Sequence, residues 1–240
     1  MHKQEHQGDN FGKDRRIYVV GSSTGYANWM EGSLVKTMEE ANLIVFTGGE
    51  DICPLIYDEK DVNPHTYYNL NRDDIEVKAY NKALSLNKKM IGICRGHQLL
   101  SALNGAKIIQ NQPNPGPHTM RTYQGVSFTI NSLHHQAVFP FNLDPSDYYI
   151  LGYTQDMLKY HHNGKMQEMD PPVEVEMIYF PKTQCLGIQC HPEMMKYSNS
   201  AVYERALDFF KIQLNRFMSD NIYVLESENL LLKKKSISYS

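Results

Sequence analysis

The stretch of sequence that decides the fold is residues 89–103, KMIGICRGHQLLSAL. Its first five residues form an apolar run that is typical of a buried strand, and the run that starts at His97 is typical of a helix. Cys94 lies between the two, and Gly92 and Gly96 flank it. A sharp turn leaves no room for side chains beside its apex, so this pattern predicts a strand, a tight turn and a helix that lift the cysteine out of a sheet.

The position of Cys94 also favours a reactive thiol. A helix that begins just after it directs its N-terminal amides and the positive end of its dipole at the sulfur. That field favours the thiolate, which is the nucleophilic form of cysteine. We therefore interpret Cys94 as a nucleophile, the alternative being a buried cysteine that only fills space.

Among the ten histidines, His191 is the strongest candidate for the base that a nucleophile needs. It follows an apolar, strand-like run, residues 185–190 (CLGIQC), and Pro192 ends that strand. Glu193 can hydrogen-bond the second ring nitrogen and fix the tautomer. Cys94 and His191 are far apart in the chain, which is normal for cysteine enzymes, because their partners meet only in the fold.

Five sequence blocks together resemble a known superfamily. Residues 92–98 (GICRGHQ) and 187–193 (GIQCHPE) resemble the two signature blocks of class I glutamine amidotransferases. Three further blocks resemble the gamma-glutamyl hydrolase branch of that superfamily: residues 47–54 (TGGEDICP), 72–76 (RDDIE) and 131–136 (NSLHHQ). The blocks follow the order of the family over more than half of the chain.

The resemblance implies a Cys-His-Glu triad of Cys94, His191 and Glu193. It also implies hydrolysis of a gamma-glutamyl amide bond through a gamma-glutamyl thioester, with release of glutamate and an amine or ammonia. The fold that it implies is the flavodoxin-like α/β fold of class I glutamine amidotransferases.

A thiolate attack on an amide produces a tetrahedral oxyanion, which fixed donors must stabilise. The backbone N–H of Arg95, directly after the nucleophile, is one expected donor. The Gly48-Gly49 turn follows a strand-like run, residues 43–46, and is therefore expected at the same carboxyl edge of the sheet as Cys94. We predict the Gly49 amide as the second donor and Gly48 as part of the substrate site, since glycine lets a backbone approach a ligand closely.

Further substrate-binding residues are predicted around this centre. Gln98 lies one helical turn past Cys94 on the same face, so it can reach a bound substrate, and the matching glutamine of the family contacts the glutamyl group. Ser132 and Leu133 match backbone positions that hold the alpha-carboxylate in related enzymes, and His134 is placed with them. Asp51 either balances an alpha-ammonium group or caps a turn.

The His134-His135 pair is also a candidate metal site. Zinc needs three or four suitably spaced ligands, and no matching Cys or His cluster lies near the pair in the sequence. We therefore expect neither a metal nor a cofactor. In the block at residues 72–76, Arg72, Asp73 and Glu76 fit the acidic first turn of a helix at least as well as a binding role.

Alternating strands and helices predict an α/β fold with a mostly parallel central sheet, helices on both faces, and a small β subsheet or hairpin. The ligand is then expected at the carboxyl ends of the strands. Strands are predicted at residues 16–20, 43–46, 89–93, 106–109 and 185–190, shorter β pieces at 126–130 and 148–152, and a half-buried strand at 173–180. Helices are predicted at residues 29–40, 74–87, 97–103 and 201–218, and a hairpin turn at Asn163-Gly164.

Length and composition limit the remaining choices. With 240 residues, the chain can form one domain with a full core. We predict a catalytic domain over residues 15–220, between a disordered lead-in (1–14) and a C-terminal tail (221–240). The net charge of −3 gives no electrostatic reason to expect nucleic acid or an anionic membrane as a partner. No apolar run reaches the roughly 18 residues that a transmembrane helix needs.

Cysteine usage and the N-terminal residues favour a cytoplasmic location. The first ten residues are polar and lack the apolar core of a signal peptide. Cys94 must be reduced to act, so we expect the four cysteines to be thiols in a reducing compartment.

Two function classes fit these observations. The first is a free-standing hydrolase that acts on a small-molecule gamma-glutamyl substrate. The second is a glutaminase subunit that passes ammonia from glutamine to a separate synthetase partner. The blocks around Thr47, Arg72 and Asn131 favour the hydrolase.

Overall fold

A computed structural model of the protein describes residues 15–21, 23–112, 116–155, 159–162, 165–198 and 200–222. The predicted lead-in over residues 1–14, residues 223–240 of the predicted tail and the Asn163-Gly164 turn lie outside these residues.

The described residues form thirteen strands and four α-helices. The strands are β1 (Arg16–Val20), β2 (Ser33–Leu34), β3 (Leu43–Phe46), β4 (Lys89–Ile93), β5 (Lys107–Ile109), β6 (His118–Thr122), β7 (Ser127–Ile130), β8 (Ala137–Phe139), β9 (Tyr149–Thr154), β10 (Lys159–His162), β11 (Lys165–Glu168), β12 (Glu174–Phe180) and β13 (Cys185–Ile188). The helices are α1 (Leu70–Ser85), α2 (Arg95–Leu103), α3 (Pro192–Ser198) and α4 (Glu204–Met218). Short 3-10 turns cover Thr24–Ala27, Pro54–Tyr57, Pro145–Asp147 and Ala201–Tyr203.

The central sheet has nine strands in the order β2-β1-β3-β4-β13-β12-β9-β6-β7. Strands β2 to β13 of this order run parallel, whereas the remaining pairings are antiparallel. Two small antiparallel sheets, β10-β11 and β5-β8, lie apart from it. The predicted α/β class with a large central sheet and a small additional sheet is confirmed. The antiparallel half contains the β pieces predicted at residues 126–130, 148–152 and 173–180, together with β6, which was not predicted.

The sheet separates two apolar clusters, because successive residues of a strand point to opposite faces. Ile44 and Phe46 of β3 face one cluster, which contains residues of α1 and α2. Leu43 and Val45 face the other, which contains Met195 of α3 and the aromatic residues of α4. Helices therefore cover both faces, as predicted. Within the described ranges, every helix is too short or too polar to cross a bilayer.

The predicted helix over residues 29–40 is wrong. Glu31 has a positive φ of 55°, which is incompatible with a continuing right-handed helix. Gly32 packs against β1 so closely that a Cβ there would lie 2.7 Å from the Arg15 carbonyl oxygen. The chain then forms β2, which pairs in parallel with β1. Tertiary contact with the sheet edge therefore outweighs helical propensity in this segment.

Helix α1 begins at Leu70, four residues before the predicted start at Asp74, because Asn69 caps it. The Asn69 side chain accepts hydrogen bonds from the backbone N–H groups of Asn71 and Arg72. Ile75, Ala79 and Ala83 recur at close to a helical period, which predicts a shared buried face, yet Ile75 is exposed. The buried residues of the helix are Asp73, Glu76, Tyr80 and Ala83.

Strand β5 forms where a strand was predicted, but it lies outside the central sheet. Both edges of β4 are occupied, by β3 on one side and β13 on the other. β5 instead pairs with β8 in an antiparallel sheet of two strands.

The predicted half-buried character of residues 173–180 is also wrong. The alternation of apolar and charged residues assigned Glu174 and Glu176 to a solvent-facing side. Both side chains are fully buried, because β12 lies inside the sheet between β13 and β9. At the C-terminal end, α4 begins at Glu204, three residues after the predicted start. Residues 201–203 form a 3-10 turn instead, and Val202 in that turn is exposed.

Candidate active site

Cys94 forms the tight turn between β4 and α2 that the sequence predicts. Its backbone dihedrals, φ 52° and ψ −108°, are strained for a residue with a side chain. A Cβ on Gly92 would collide with the Gly96 backbone, and a Cβ on Gly96 would collide with the backbone of Phe46 in β3. Both glycines are therefore required by close packing. The turn holds Cys94 at the N-terminal end of α2.

His191 and Glu193 lie beside this cysteine. The His191 Nδ1–H donates to Glu193 Oε1 over 2.6 Å, and the ring is also hydrogen-bonded to Cys94. Because Nδ1 is occupied by the carboxylate, Nε2 is the nitrogen that faces the thiol. All three side chains are buried. The structure thus brings together the three residues that the sequence analysis grouped.

Asn131 fixes the backbone of His191 through two hydrogen bonds. The His191 N–H donates to Asn131 Oδ1 over 2.8 Å, and Asn131 Nδ2 donates to the His191 carbonyl over 3.0 Å. This role of Asn131 was not predicted from the sequence, where the residue is only the first of the block at 131–136. A two-point bond of this kind holds the imidazole close to Cys94.

The charge state of His191 follows from its neighbours. Burial acts against the imidazolium, but hydrogen bonds to Cys94 and Glu193 and the negative charges of both outweigh it and raise the pKa of His191 to about 10. His191, beside Cys94, is therefore the protonated, positively charged member of the site at neutral pH.

Replacing Glu193 with glutamine is expected to move the alkaline loss of activity to lower pH. A raised pKa means that the imidazolium persists at pH values below about 10 and is lost as the pH rises through that value. Without the carboxylate charge, His191 releases its proton earlier, by about 1 to 3 pH units. Profiles of kcat/KM against pH test this, with Glu204→Gln on α4 as the control. Superimposable alkaline limbs for Glu193→Gln and wild type would contradict the assignment.

The loop after β3 faces the cysteine and is braced by Arg72. The guanidinium donates to the carbonyl oxygens of Gly48, over 2.8 Å, and Thr47, over 3.3 Å. A side chain on Gly49 would collide with the same guanidinium. Arg72 is itself held by ion pairs with Glu76, 2.9 Å, and Glu50, 2.7 Å. Arg72 therefore fixes the position of the loop that carries the predicted oxyanion donor.

Tyr26 approaches the same loop from the other side. Its hydroxyl is hydrogen-bonded to the Gly48 backbone, and its ring centroid lies 6.1 Å from that of His191. A Cβ on Gly48 would lie 2.8 Å from this hydroxyl and 2.9 Å from His191 Cε1. Tyr26 therefore holds the Gly48 side of the loop. Gly49, which lines the cavity together with Cys94, stays the predicted oxyanion donor of the loop.

Arg95 contributes more than its backbone to the turn. Its side chain is fully buried and forms ion pairs with Asp73, 2.5 Å, and with Glu76 of α1. The reading of residues 72–76 as the first turn of a helix is therefore correct, but incomplete. The buried face of α1 holds both the nucleophile turn, through Arg95, and the Gly48-Gly49 loop, through Arg72.

Cys94 opens into a cavity of about 240 Å³. Its remaining lining residues are Gly49, Glu50, Asp51, Tyr67, Gln98, Leu133, His134 and His135. Tyr67 and Leu133 are exposed and form the rim. This volume is below the range typical of drug-sized ligands, so the cavity fits a group about the size of one amino acid.

The predicted substrate residues take different positions around this cavity. Gln98 is buried at its wall, and its Nε2 donates to the Gln136 carbonyl over 3.3 Å. Asp51 accepts from the Tyr67 N–H over 2.9 Å and lies 3.2 Å from His135 Nε2, and this contact raises the pKa of His135. Asp51 therefore ties the loop after β3 to the distant segment at Tyr67 instead of capping a local turn, and it also faces the cavity.

Ser132 and Leu133, although adjacent in sequence, take different positions at the edge of the cavity. Leu133 is exposed and lines the rim, whereas Ser132 is buried and does not belong to the lining residues. His134 is buried behind them, and burial lowers its pKa. Gly48 also lies outside the lining set and packs instead against Tyr26 and His191.

Comparison with known proteins assigns the chain to a family. The Peptidase C26 family matches residues 27–193, which include the cysteine turn, the glycine loop and the His191 region. The chain belongs to the Peptidase C26 family. It is accordingly an amide-hydrolysing enzyme of the class I glutamine amidotransferase-like superfamily, as the sequence blocks predicted.

Individual relatives agree with this placement of the C26 enzyme. Protein NtpR of Enterococcus hirae is 27% identical over 184 residues, covering 72% of this chain and 75% of NtpR. Gamma-glutamyl peptidase 4 of Arabidopsis thaliana is 32% identical over 113 residues, covering 45% of this chain and 41% of the peptidase. The crystal structure of a glutamine amidotransferase from Thermotoga maritima aligns with a TM-score of 0.50 at 15% identity, over 92% of this chain and 94% of the other. At that identity the alignment shows the fold alone.

One cluster in the C26 enzyme was not anticipated. His134, Glu174 and Glu176 each offer a ligand atom, and these atoms lie within 4.8 Å of one another. The sequence does not predict this cluster, because the alternation of apolar and charged residues in 173–180 places Glu174 and Glu176 on a solvent-facing side. His135 points instead to Asp51.

All four cysteines of the C26 enzyme lie in the described residues and are free, buried thiols. This agrees with the expectation of reduced cysteines. Burial raises the pKa of Cys185 to about 12 and that of Cys190 well above the ordinary value. Neither of these two thiols lines the cavity.

Proposed function

We propose that this C26 enzyme hydrolyses a gamma-glutamyl amide bond through a gamma-glutamyl thioester on Cys94. The observation that carries the proposal is the contact of Cys94 with His191, which is bonded to Glu193, at the base of a cavity lined by Asp51 and Glu50. A strained nucleophile, a base and an orienting carboxylate form the arrangement that acyl transfer requires.

The first half of the proposed reaction transfers the acyl group to sulfur. The Cys94 thiolate attacks the side-chain amide carbon, and the carbonyl oxygen becomes an oxyanion. The amides of Gly49 and Arg95 stabilise this charge, because one belongs to the braced loop and the other to the first turn of α2. His191 donates its proton to the leaving nitrogen, the carbon–nitrogen bond breaks, and an amine or ammonia departs.

The second half returns the enzyme to its starting state. Water loses a proton to the now neutral His191 as it attacks the thioester carbon. The carbon–sulfur bond then breaks, which gives the glutamate carboxyl group and regenerates the thiolate beside a protonated His191. Glu193 keeps its bond to Nδ1 in both halves and holds the ring in one tautomer.

The cavity wall supports a glutamyl group as the acyl half. Asp51 and Glu50 supply carboxylates that suit an alpha-ammonium group, and Gln98 lies one helical turn from Cys94. We propose that the backbone at Ser132 and Leu133 binds the alpha-carboxylate of the glutamyl group. Because Tyr67 and Leu133 are exposed at the rim, the amine half extends toward solvent.

Similarity to gamma-glutamyl peptidase 4 supports the same substrate class. The aligned region covers 41% of that peptidase, so cleavage of the gamma-glutamyl bond in its name comes to this chain only as part of the proposal. A free-standing hydrolase remains preferred to a glutaminase subunit with a synthetase partner, on the blocks around residues 47–54, 72–76 and 131–136. A cytoplasmic location remains a prediction.

The proposal is tested by matched isomers incubated with the purified enzyme and no added protein. We expect release of aniline-type and alkylamine leaving groups from gamma-glutamyl amides, and no comparable release from the alpha-glutamyl isomers. An N-acetylated gamma-glutamyl amide should have a raised KM, because it lacks the ammonium group that Asp51 and Glu50 face. Equal cleavage of alpha and gamma isomers would contradict the proposal. Turnover of glutamine alone, enhanced by a synthetase, would favour the glutaminase subunit.

A further inference from the structure

A buried group of carboxylates and histidines lies behind the cavity, on the side of β12 that faces the segment before β8. His134, Glu174 and Glu176 contribute ligand atoms within 4.8 Å of one another. Their side chains are essentially inaccessible to solvent. Carboxylates that are buried this deeply are normally paired or bound to a cation. We propose that these three residues bind a divalent metal ion of the zinc type.

The orientation of His134 is the first argument. Its Nδ1–H donates to the Gln136 carbonyl over 2.9 Å, so in the neutral ring Nε2 carries the lone pair. Nε2 is buried and has no hydrogen-bond partner among the described residues. It lies 3.7 Å from Glu174 Oε1, which is too long for a hydrogen bond. A lone pair and a carboxylate oxygen that face each other at this distance are stabilised by a cation between them.

Unpartnered atoms around the same point are the second argument. Glu176 Oε2 is buried and, within the described part of the chain, accepts no hydrogen bond. Gln112 Oε1 is likewise buried and unpartnered there. An unsatisfied buried acceptor typically costs about 1 to 3 kcal/mol, and more when it is charged. A metal ion would satisfy the Glu176 oxygen and the His134 nitrogen together, and Gln112 Oε1 or water could complete its coordination.

The outer contacts of the cluster are those of a metal site. His118 Nε2 lies 2.7 Å from Glu176 Oε1, and Gln112 Nε2 donates to Glu174 Oε2 over 2.6 Å. His134 is held in the same way by its bond to the Gln136 carbonyl. Each of the three ligands is therefore oriented through an atom other than the one that would bind the ion. Such outer hydrogen bonds fix the tautomer and direction of metal-binding side chains.

The donor set selects the ion. One imidazole nitrogen and two carboxylate oxygens suit Zn²⁺, and also Mn²⁺ or Fe²⁺, better than Mg²⁺ or Ca²⁺, which favour oxygen alone. Tetrahedral zinc bonds of about 2.0 to 2.2 Å place ligand atoms roughly 3.3 to 3.6 Å apart. His134 Nε2 and Glu174 Oε1 are already 3.7 Å apart, and the other ligand atoms, which lie within 4.8 Å, must draw closer on binding.

The ion would act by positioning, since the proposed reaction uses Cys94 and His191. The segment at residues 131–136 holds Asn131, which is bonded to the His191 backbone, and Leu133 at the cavity rim. His134 would tie this segment to β12 through the metal. Binding is therefore expected to stabilise the protein and to keep the segment in place.

Zinc titration of chelator-stripped protein tests the proposal. The work is done in the Cys94→Ala background, so that the thiolate of the candidate active site cannot bind zinc. We expect one Zn²⁺ per chain by metal analysis and calorimetry, and a Tm that rises with zinc concentration. Glu176→Gln and His134→Gln should each weaken binding by at least about tenfold, whereas His135→Asn, a neighbouring histidine outside the cluster, should not.

The outcome separates the two explanations of the cluster. Stoichiometric zinc that is lost in Glu176→Gln and retained in His135→Asn supports the site. Absence of bound zinc in the stripped and reloaded Cys94→Ala protein would overturn it, even if the ligand variants fail to fold. Binding that is equal in the Cys94→Ala protein and both ligand variants would also overturn it.

Discussion

Cys94→Ser is expected to reduce kcat for amide hydrolysis by about 10⁴-fold or more while leaving the fold intact. A serine hydroxyl is far harder to ionise than a thiol, so the ion pair with His191 cannot form. The side chain is nearly the same size, and the strained turn between β4 and α2 is set by Gly92 and Gly96 rather than by sulfur. Steady-state kinetics with a gamma-glutamyl amide measure the loss, and circular dichroism with thermal unfolding monitors the fold.

Cys185→Ala is the matched control for this change. Cys185 is another buried thiol, but it lies in the core at the start of β13 and does not line the cavity. Its replacement should lower stability slightly and leave kcat within about twofold, since a small change in a distant core residue is felt mainly in stability. Full activity of Cys94→Ser, or equal losses for the two variants, would contradict a role for Cys94 as nucleophile.

Arg95→Met is expected to lower the free energy of unfolding by about 3 to 5 kcal/mol. The guanidinium is fully buried and pairs with Asp73 and Glu76, which are also buried. Methionine has a similar length but no charge, so it leaves two carboxylates without their shared counter-ion in a place that water does not reach. Denaturant unfolding monitored by circular dichroism measures the change.

Lys78→Met on the same helix is the matched control. Lys78 pairs with Asp74 over 2.6 Å, and both side chains are exposed, so its loss should cost less than about 1 kcal/mol. A double variant, Arg95→Met with Asp73→Asn, should recover part of the stability, because it removes the carboxylate that Arg95→Met leaves without a counter-ion, whereas Glu76 keeps its ion pair with Arg72. Similar small effects of Arg95→Met and Lys78→Met would contradict the assignment of Arg95 as a buried charge partner.

The nucleophile turn could be predicted from the sequence because its determinants are local. Gly92, Cys94 and Gly96 are close in the chain, and their requirement for close packing is visible as a pattern of small residues around a cysteine. The contact between His191 and Glu193 could also be predicted, because the two residues are close in the sequence. Their meeting with Cys94 was implied by the resemblance to class I glutamine amidotransferases, and in the structure it follows from the parallel pairing of β4 with β13, which end at the same edge.

Interactions between distant segments could not be predicted in the same way. Arg72 braces the Gly48-Gly49 loop, and Tyr26 bonds the same loop, only because the fold brings these segments together. The alternation in residues 173–180 carries the signal of a half-exposed strand, yet β12 is central and buries Glu174 and Glu176. The segment at residues 29–40 forms no helix, because contact between Gly32 and Arg15 decides its path. In each case tertiary environment outweighs the local pattern.

Mass spectrometry of the intact enzyme, quenched in acid during turnover of a gamma-glutamyl amide, tests the central claim most directly. A thioester on Cys94 predicts a fraction of enzyme that is heavier by one gamma-glutamyl group. Peptide mapping should locate that group on Cys94, and Cys94→Ala should not acquire it. A gamma-glutamyl group located on a different residue, or continued turnover by Cys94→Ala, would contradict the account.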